Sequence, residues 1–528
     1  MRILTTFAIL ALACSATAGG TIDCDVFVYG MTPAGITASI TARRAGLNVM
    51  AVEPSDRIGG LTTGGLGQTD IGAKRCYTGL ARQFYRDVKA WYADPAHWTR
   101  EKAATFKGDG WHCWEDLPSD ADTMWVFEPS VALTILRGWL AREGVAVTYR
   151  TRLDRVAGAT RKDAVTRAIT SVRLENGDVV RARFFIDATY EGDLMASAGV
   201  PYHVGREDNL VYGETVNGVR TADSDKHQFA KGVDPYVRKG DPASGLLPGI
   251  DPRPLEAPGT GDRRVQAYCY RLCLTDDPAN RVPYPKPADY DERTYELLFR
   301  DLEAGGTNQI AYFTCPMPNR KTDANSAGGV GFDLPGGSWD YPDASYAERE
   351  RIASRHRSWQ MGLLWTLANH PRVPAAIRAE HARWGLAGDE FVETGHWPRQ
   401  LYVREARRMI GEYVVTEADC RGQRVAPKPH VATGSYGMDS HHCRRVAVNG
   451  QMRNEGDLQD YRKLVLYPIP LAAMRPKAKD CTNLLVPVCL SASHAAFGSI
   501  RMEPNFFQLG EAAGQEAVRV LKDQQVKD

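Results

Sequence analysis

The chain has 528 residues, with 65 basic and 64 acidic side chains and a formal charge of +1. Its length predicts roughly two to four structural units, and 43% hydrophobic with 24% charged residues excludes wholesale disorder and fibrous repeats. Balanced charge without a basic run also excludes the electrostatic footprint of a nucleic-acid binder, so a globular enzyme is expected.

Residues 1–18 read as a secretory signal peptide. Met1-Arg2 gives a positive start, Ile3 to Ala13 is almost wholly apolar, and Ala16-Thr17-Ala18 supplies small residues for cleavage. A lipoprotein signal through Cys14 is the minor alternative, with Ala11 where Leu is usual. No later stretch reaches the roughly 18 apolar residues of a spanning helix, so a periplasmic or secreted protein is expected.

Export permits disulfides, but ten cysteines beyond Cys14 in a chain of this size do not make a disulfide scaffold. Cys269 and Cys273 fall on Val265–Leu274, which reads as a strand and would hold them roughly 13 Å apart. No Cys-x-x-Cys occurs. His441 and His442, beside Asp439 and Cys443, are adjacent on an extended segment and point opposite ways, so no metal is expected.

Cys24 to Tyr29 reads as a short apolar strand. Gly30-Met-Thr-Pro-Ala-Gly35 follows, then a helix over 33–45 closed by Gly46, and a second strand from Val49 ending at Glu53. In such a βαβ unit Gly30 permits the tight turn, the helix start at Pro33, Ala34 and Gly35 faces a pyrophosphate, and Glu53 can hold a ribose. Thr32 stands where a glycine is usual and crowds that approach unless its hydroxyl joins the phosphate contacts.

Glu53-Pro-Ser-Asp-Arg-Ile-Gly-Gly-Leu61 resembles the acid-to-double-glycine signature of two-dinucleotide-binding-domain flavoproteins. That resemblance implies cofactor contacts at Arg57, Gly59, Gly60 and Leu61. Gly144 to Leu153 looks like the strand passing the adenine in that group, which implies a contact at Leu153. Arg183 to Thr189 looks like its following strand, which implies contacts at Ala188 and Thr189. Four elements in this order point to FAD rather than NAD.

At the carboxyl end, Asn483–Val488 reads as a strand, and Arg501-Met-Glu-Pro-Asn505 precedes a helix to about Val520. Arg501 and Glu503 at that helix start would meet the flavin. With Gly59–Gly67, Asp187–Asp193, Tyr402–Arg408 and Ser491–His494, these segments resemble the FAD-dependent oxidoreductases grouped as heterodisulfide reductase-like and xanthan lyase-related flavoproteins. The iron–sulfur cysteines of true heterodisulfide reductases are missing, as is a redox cysteine pair after the double glycine. Gly328-Gly-Val-Gly331 reads as a loop without a preceding strand, so no second dinucleotide unit is expected.

The expected fold is α/β, with a Rossmann-like FAD-binding domain built from both chain ends and an inserted mixed α+β substrate (cap) domain. The boundaries are 19–195, carrying a Trp-rich insertion at about 84–125, then 196–480 as the cap, and 481–528. In the middle, Ala347–Asn369 reads as a helix, and Tyr402–Met409 as extended chain continuing into Tyr413–Thr416. Trp91, Trp98, Trp111, Trp114 and Trp125 read as core packing or as an aromatic platform for a sugar.

The expected function is oxidation of an organic small molecule, carbohydrate-related, by hydride transfer to flavin, with an unassigned electron acceptor. A non-redox flavoprotein lyase or isomerase, or a binding protein on the same scaffold, are the alternatives. His494 and Arg501 are the first catalytic candidates. Asp439, His441 and His442 form a second group, and Tyr190, Glu191 and Asp193 a third.

Overall fold

The structure, a computed structural model, describes residues 19–108, 122–221, 224–306, 310–311, 316–461 and 465–525. The signal-peptide segment, Trp111 and Trp114 lie outside the described residues.

The amino-terminal strands are β1 (Thr21–Tyr29), β2 (Val49–Glu53), β3 (Val147–Tyr149), β4 (Thr160–Lys162), β5 (Ile169–Arg173) and β6 (Val179–Asp187). They form one mixed sheet in the order β3-β2-β1-β6-β5-β4. β6 pairs antiparallel with β5 at Val179–Val180, and parallel with Leu484–Leu485 at Phe185–Ile186. The inner half of β1, Val26 to Tyr29, is buried on both faces, which is why it reads as a continuous apolar run rather than an alternating one.

Helix α1 (Pro33–Arg44) joins β1 to β2, with Pro33 in the first turn where a missing N–H is harmless. It packs on the last helix, Glu503–Gln525, which begins at Glu503 rather than after Asn505 and runs past Val520. Small residues permit the approach. A Cβ on Gly510 would stand 2.1 Å from the Ala34 carbonyl oxygen, and Thr37 Oγ1 donates to the Phe507 carbonyl at 2.9 Å. The two ends of the chain thus close on one core.

Residues between these ends add a second sheet of six strands, including Leu272–Thr275, Lys321–Ser326 and Gly385–Ala387, and several two-stranded sheets. The long helix Tyr346–Asn369 stands where it is expected.

Three readings are corrected here. The strand expected over Val265–Leu274 is confined to Leu272–Thr275, because side chains take its backbone groups upstream. Gln360 accepts from Tyr270 N–H at 2.6 Å and donates to the Tyr270 carbonyl at 2.9 Å, while Ser338 and Glu405 accept from Tyr268 N–H and Gln266 N–H. Within Tyr402–Thr416 only Arg407–Met409 is a strand, paired with Tyr202–Val204. A strand, Lys321–Ser326, does precede Gly328–Gly331, but turns follow it rather than a helix. Cys269 and Cys273 are both free thiols.

Trp125 is wholly buried and stacks on Tyr85 at 3.7 Å, Trp91 stacks on His97, and Trp98 Nε1 donates to the Tyr92 carbonyl. These three are structural aromatics.

Candidate functional site

The end of β1 turns at Gly30, which has φ +90°. A Cβ there would meet Thr189 Cγ2 at 2.7 Å, and one on Gly35 would stand 1.9 Å from the Gly30 carbonyl oxygen. The turn, the start of α1 and the Ala188–Thr189 end of β6 are therefore packed backbone to backbone. Thr32 Oγ1 donates to the Ala188 carbonyl at 2.7 Å, so its hydroxyl is committed to β6.

At the end of β2, the Glu53 carboxylate accepts from the N–H groups of Met31 and Ser55, each at 2.8 Å. Burial raises its pKa against those hydrogen bonds. The second glycine pair follows, Gly59 at φ +87° and Gly60 at φ +50°, and opens the short helix α2 (Gly60–Thr63). A Cβ on Gly60 would lie 2.3 Å from the Tyr190 hydroxyl. Arg57 Nε donates to the Thr63 carbonyl, fixing the loop from the other side.

Tyr190 ties this loop to the carboxyl-terminal helix. Its hydroxyl accepts from Leu61 N–H at 3.0 Å and donates to Glu503 Oε1 at 2.8 Å, while Thr62 Oγ1 donates to Glu503 Oε2 at 2.7 Å. Burial pushes the Glu503 carboxyl up to about 7, against those hydrogen bonds.

A cavity of about 340 Å³ runs along these elements, lined by Gly30, Thr32, Glu53, Arg57, Gly60 and Tyr190 among others. Arg152 reaches its wall, whereas Leu153 is buried, its N–H donated to the Tyr29 hydroxyl. Of the third candidate group, Glu191 accepts from Tyr341 and Asp193 is clamped by Arg349 and Arg407. Burial would raise the Asp193 carboxyl, but those guanidiniums hold it low.

His494 opens its own helix, His494–Ile500, and does not meet the cavity residues described. Its Nδ1 lies 2.8 Å from Glu405 Oε2, both side chains being buried. Arg501 has other partners. Its Nη1 donates to the Tyr402 hydroxyl at 2.6 Å and its Nη2 to the Asp439 carbonyl at 3.0 Å. Arg501 therefore belongs with the Asp439–His441–His442 group rather than with His494.

That group centres on a residue the sequence reading missed. Asp333 Oδ2 is 2.6 Å from His441 Nδ1, and Asp333 Oδ1 lies 3.1 Å from Arg404 Nη1 at an angle too poor for a hydrogen bond. Burial would raise the Asp333 carboxyl, but Arg404 and His441 outweigh it and hold it low. Burial, helped by Arg404, lowers the His441 pKa against the pull of Asp333. A neutral His441 that donates its Nδ1–H to Asp333 keeps a basic lone pair at Nε2.

His227 stacks over His441 with ring centroids 6.4 Å apart, and burial pushes it down to about 4. His442 turns to the Lys226 carbonyl and is pushed down to about 3 by burial. Four buried polar atoms in these residues and the adjoining Gln266 make no hydrogen bond among the described residues: Asp333 Oδ1, Asp439 Oδ1, Arg404 Nε and Gln266 Nε2.

The sequence matches the family model described as FAD dependent oxidoreductase over residues 25–528. The chain belongs to that family. FAD is therefore its cofactor, and the donor set fits it: a helix start with close-packed glycines, a buried acid at the end of β2, and a cavity joining the two.

No curated protein matches the sequence. Among solved structures, cyclohexanone monooxygenase from Rhodococcus sp. Phi1 bound to NADP+ is 16% identical, with 32% of this chain and 26% of that chain covered at a TM-score of 0.21. OTEMO in an FAD-bound form is 18% identical, with 32% and 26% covered at 0.20. Steroid monooxygenase bound to NADP gives the same identity, coverage and score. The chain spans about a quarter of the length of these relatives.

Proposed function

We propose that this chain is an exported flavoenzyme that oxidises an organic small molecule, with His441 as the base. The observation that carries the reading is the position of Arg501. It bonds to Asp439 and Tyr402 on one side, and two residues later Glu503 closes the Tyr190–Thr62 clasp of the cofactor loop.

In this reading Gly30, Thr32, Pro33, Ala34, Gly35, Glu53, Arg57, Gly59, Gly60, Leu61, Leu153, Ala188 and Thr189 would hold FAD from the chain's amino-terminal half. Arg501 and Glu503 hold it from the carboxyl-terminal half. When bound, FAD would supply a two-electron acceptor for the oxidation of the substrate. His441 Nε2 takes the proton of a substrate hydroxyl, and Asp333 fixes the ring's tautomer and steadies the charge the ring then acquires. Arg501 contributes positive charge beside the reacting groups.

The middle of the chain, 196–480, acts as the substrate cap, and the apolar start with Ala16-Thr17-Ala18 supports export after cleavage near Ala18. No helix among the described residues is long and apolar enough to cross a membrane. The test is anaerobic mixing of the FAD-loaded protein with sugars and hydroxy acids. Bleaching of the flavin supports oxidation, and its loss in His441→Ala with FAD retained assigns the base. Turnover without bleaching would instead place the protein among non-redox flavoproteins.

A further inference from the structure

A second cavity, of about 830 Å³, lies apart from the cofactor cradle in the middle of the chain. One wall is aromatic. Tyr290 stacks on Tyr295 at 5.4 Å, Tyr295 stacks on Trp359 at 5.2 Å, and Trp339 completes the wall. Leu334 also lines it, so the cavity backs onto Asp333.

Arg445 lines the same cavity and is only 3% exposed. Its guanidinium makes no hydrogen bond or ion pair among the described residues. Nε is buried without a partner, and the guanidinium carbon stands 5.5 Å from the Trp359 ring centroid. The neighbouring Arg444 shows how different this is, since it is held by Asp251, Glu256 and Glu455. Burial pushes the Arg445 pKa down to about 10, while Arg271, clamped on Asp323, is raised. Asp333 and Asp301 act on it only at longer range and neither bonds to it, so a buried guanidinium is left with donors to spare and a bonded partner is expected from outside the chain.

The other charged groups of the wall each have a hydrogen-bond or ion-pair partner, unlike Arg445. Arg253 pairs with Asp251, Asp291 with Arg293, Asp289 accepts from the Ser358 hydroxyl, and Arg355 donates to the Gly337 carbonyl. One negative charge would neutralise Arg445, and the three aspartates on the wall disfavour a dianion. A planar guanidinium matches the two oxygens of one carboxylate, and flat aromatic faces suit a ring.

We infer that this cavity binds a monoanionic organic carboxylate bearing a ring, with Arg445 holding the carboxylate. The inference does not depend on the redox reading, because binding is measured without the flavin reaction. Two sources share the chemistry, an aromatic acid and a sugar acid.

The experiment is calorimetric titration of the FAD-loaded protein with 4-hydroxybenzoate and with glucuronate, each beside its uncharged amide. One of the acids is expected to bind one-to-one, its amide about 30-fold or more weakly, and which acid binds names the source. Arg445→Gln should lose about as much as the amide does, and Arg445→Lys should fall between. The acid–amide comparison uses the unaltered protein, so it holds even where a variant fails to fold. Binding of neither acid, equal binding of acid and amide, or undiminished binding by a folded Arg445→Gln would overturn the inference.

Discussion

Asp333 Oδ2 and His441 Nδ1 lie 2.6 Å apart across 108 positions of chain. The contact joins the turn after Lys321–Ser326 to the segment after Met438–Ser440, and Arg404 holds the carboxylate from behind. His441 is thereby fixed in one tautomer and kept neutral by burial.

Two variants separate the roles of this pair. His441→Ala should keep FAD but slow flavin reduction by about 100-fold or more, and Asp333→Asn by about 100- to 10,000-fold, the scale of a lost base or a misdirected one. Neutral His441 is the active form, and its pKa is lowered from 6.5 by burial. The rate should therefore stay level as pH falls from 8 to 6.5 and drop only below that. Stopped-flow bleaching across this range reads both effects, and a profile that already falls at pH 7 would move the base elsewhere.

Glu53→Ala should weaken FAD binding by about 1–3 kcal/mol, the scale of a lost charge-assisted hydrogen bond. The same carboxylate receives Met31 N–H and Ser55 N–H, so Glu53→Gln, which keeps an acceptor, should lose less. Fluorescence titration of the apoprotein with FAD measures both. Equal affinity in all three proteins would remove Glu53 from the ribose.

Glycines 35 and 46 offer a matched comparison. A Cβ on Gly35 would stand 1.9 Å from the Gly30 carbonyl oxygen, whereas Gly46 has open space around it but φ +88°. Gly46→Ala should cost about 1–2 kcal/mol of stability through backbone strain, with FAD affinity unchanged. Gly35→Ala should cost about 1–3 kcal/mol through overpacking and also displace the helix start, so FAD is lost with it. Urea melts paired with FAD titrations distinguish the two, and a Gly35→Ala protein that binds FAD normally would mean the turn can shift without consequence.

What was legible in the sequence follows from locality. The βαβ unit could be read because Gly30, Gly35 and Glu53 lie within one continuous segment whose apolar runs and glycines answer to local physics. The Asp333–His441 pair could not be read, because nothing near either residue announces the other. Gly328–Gly331 drew attention to the wrong residues, its neighbour Asp333 being the one that reaches the imidazole. Arg404 and Tyr402 lay inside a recognised stretch, Tyr402–Arg408, yet only the fold shows that they face Asp333 and Arg501. His494 was read from chain position alone. Its place beside the final helix suggested the flavin, while the fold sets its Nδ1 on Glu405 and keeps it off the lining of the cofactor cavity.

Glu390 should make the protein's stability depend on pH. It is 1% exposed, accepts from the Ser130 hydroxyl at 2.6 Å and lies 3.5 Å from Lys321 Nζ. Burial, only partly offset by Lys321, pushes its carboxyl up from 4.5 to about 7. A raised carboxyl pKa means the folded chain holds a proton the unfolded chain releases. Its stabilisation is therefore full below pH 4.5 and is lost as pH rises through 7. Glu390→Gln should flatten this part of the stability–pH curve between pH 5 and 7.5 in calorimetric melts, and an unchanged slope would assign the pH dependence to other groups.

Thr32 decides whether a threonine in the cofactor turn is a defect or a tie. A glycine there is usual, and on sequence grounds replacing Thr32 with glycine leaves FAD binding unchanged or improves it. The hydroxyl, however, donates to the Ala188 carbonyl at 2.7 Å in a site only 5% exposed, and so holds the start of α1 against the end of β6. Thr32→Gly should therefore lose about 1 kcal/mol of stability for the hydrogen bond, with more from the freer backbone, even though FAD gains room. Thr32→Ser keeps the donor and should stay close to the unaltered protein. Thr32→Val fills the same volume without the donor, leaves the Ala188 carbonyl unpaired and should cost about 1–3 kcal/mol. Denaturant melts of the three apoproteins, with FAD titrations beside them, test this order. A Thr32→Val protein as stable as Thr32→Ser would show that the hydroxyl ties nothing and that its place in the turn is only tolerated.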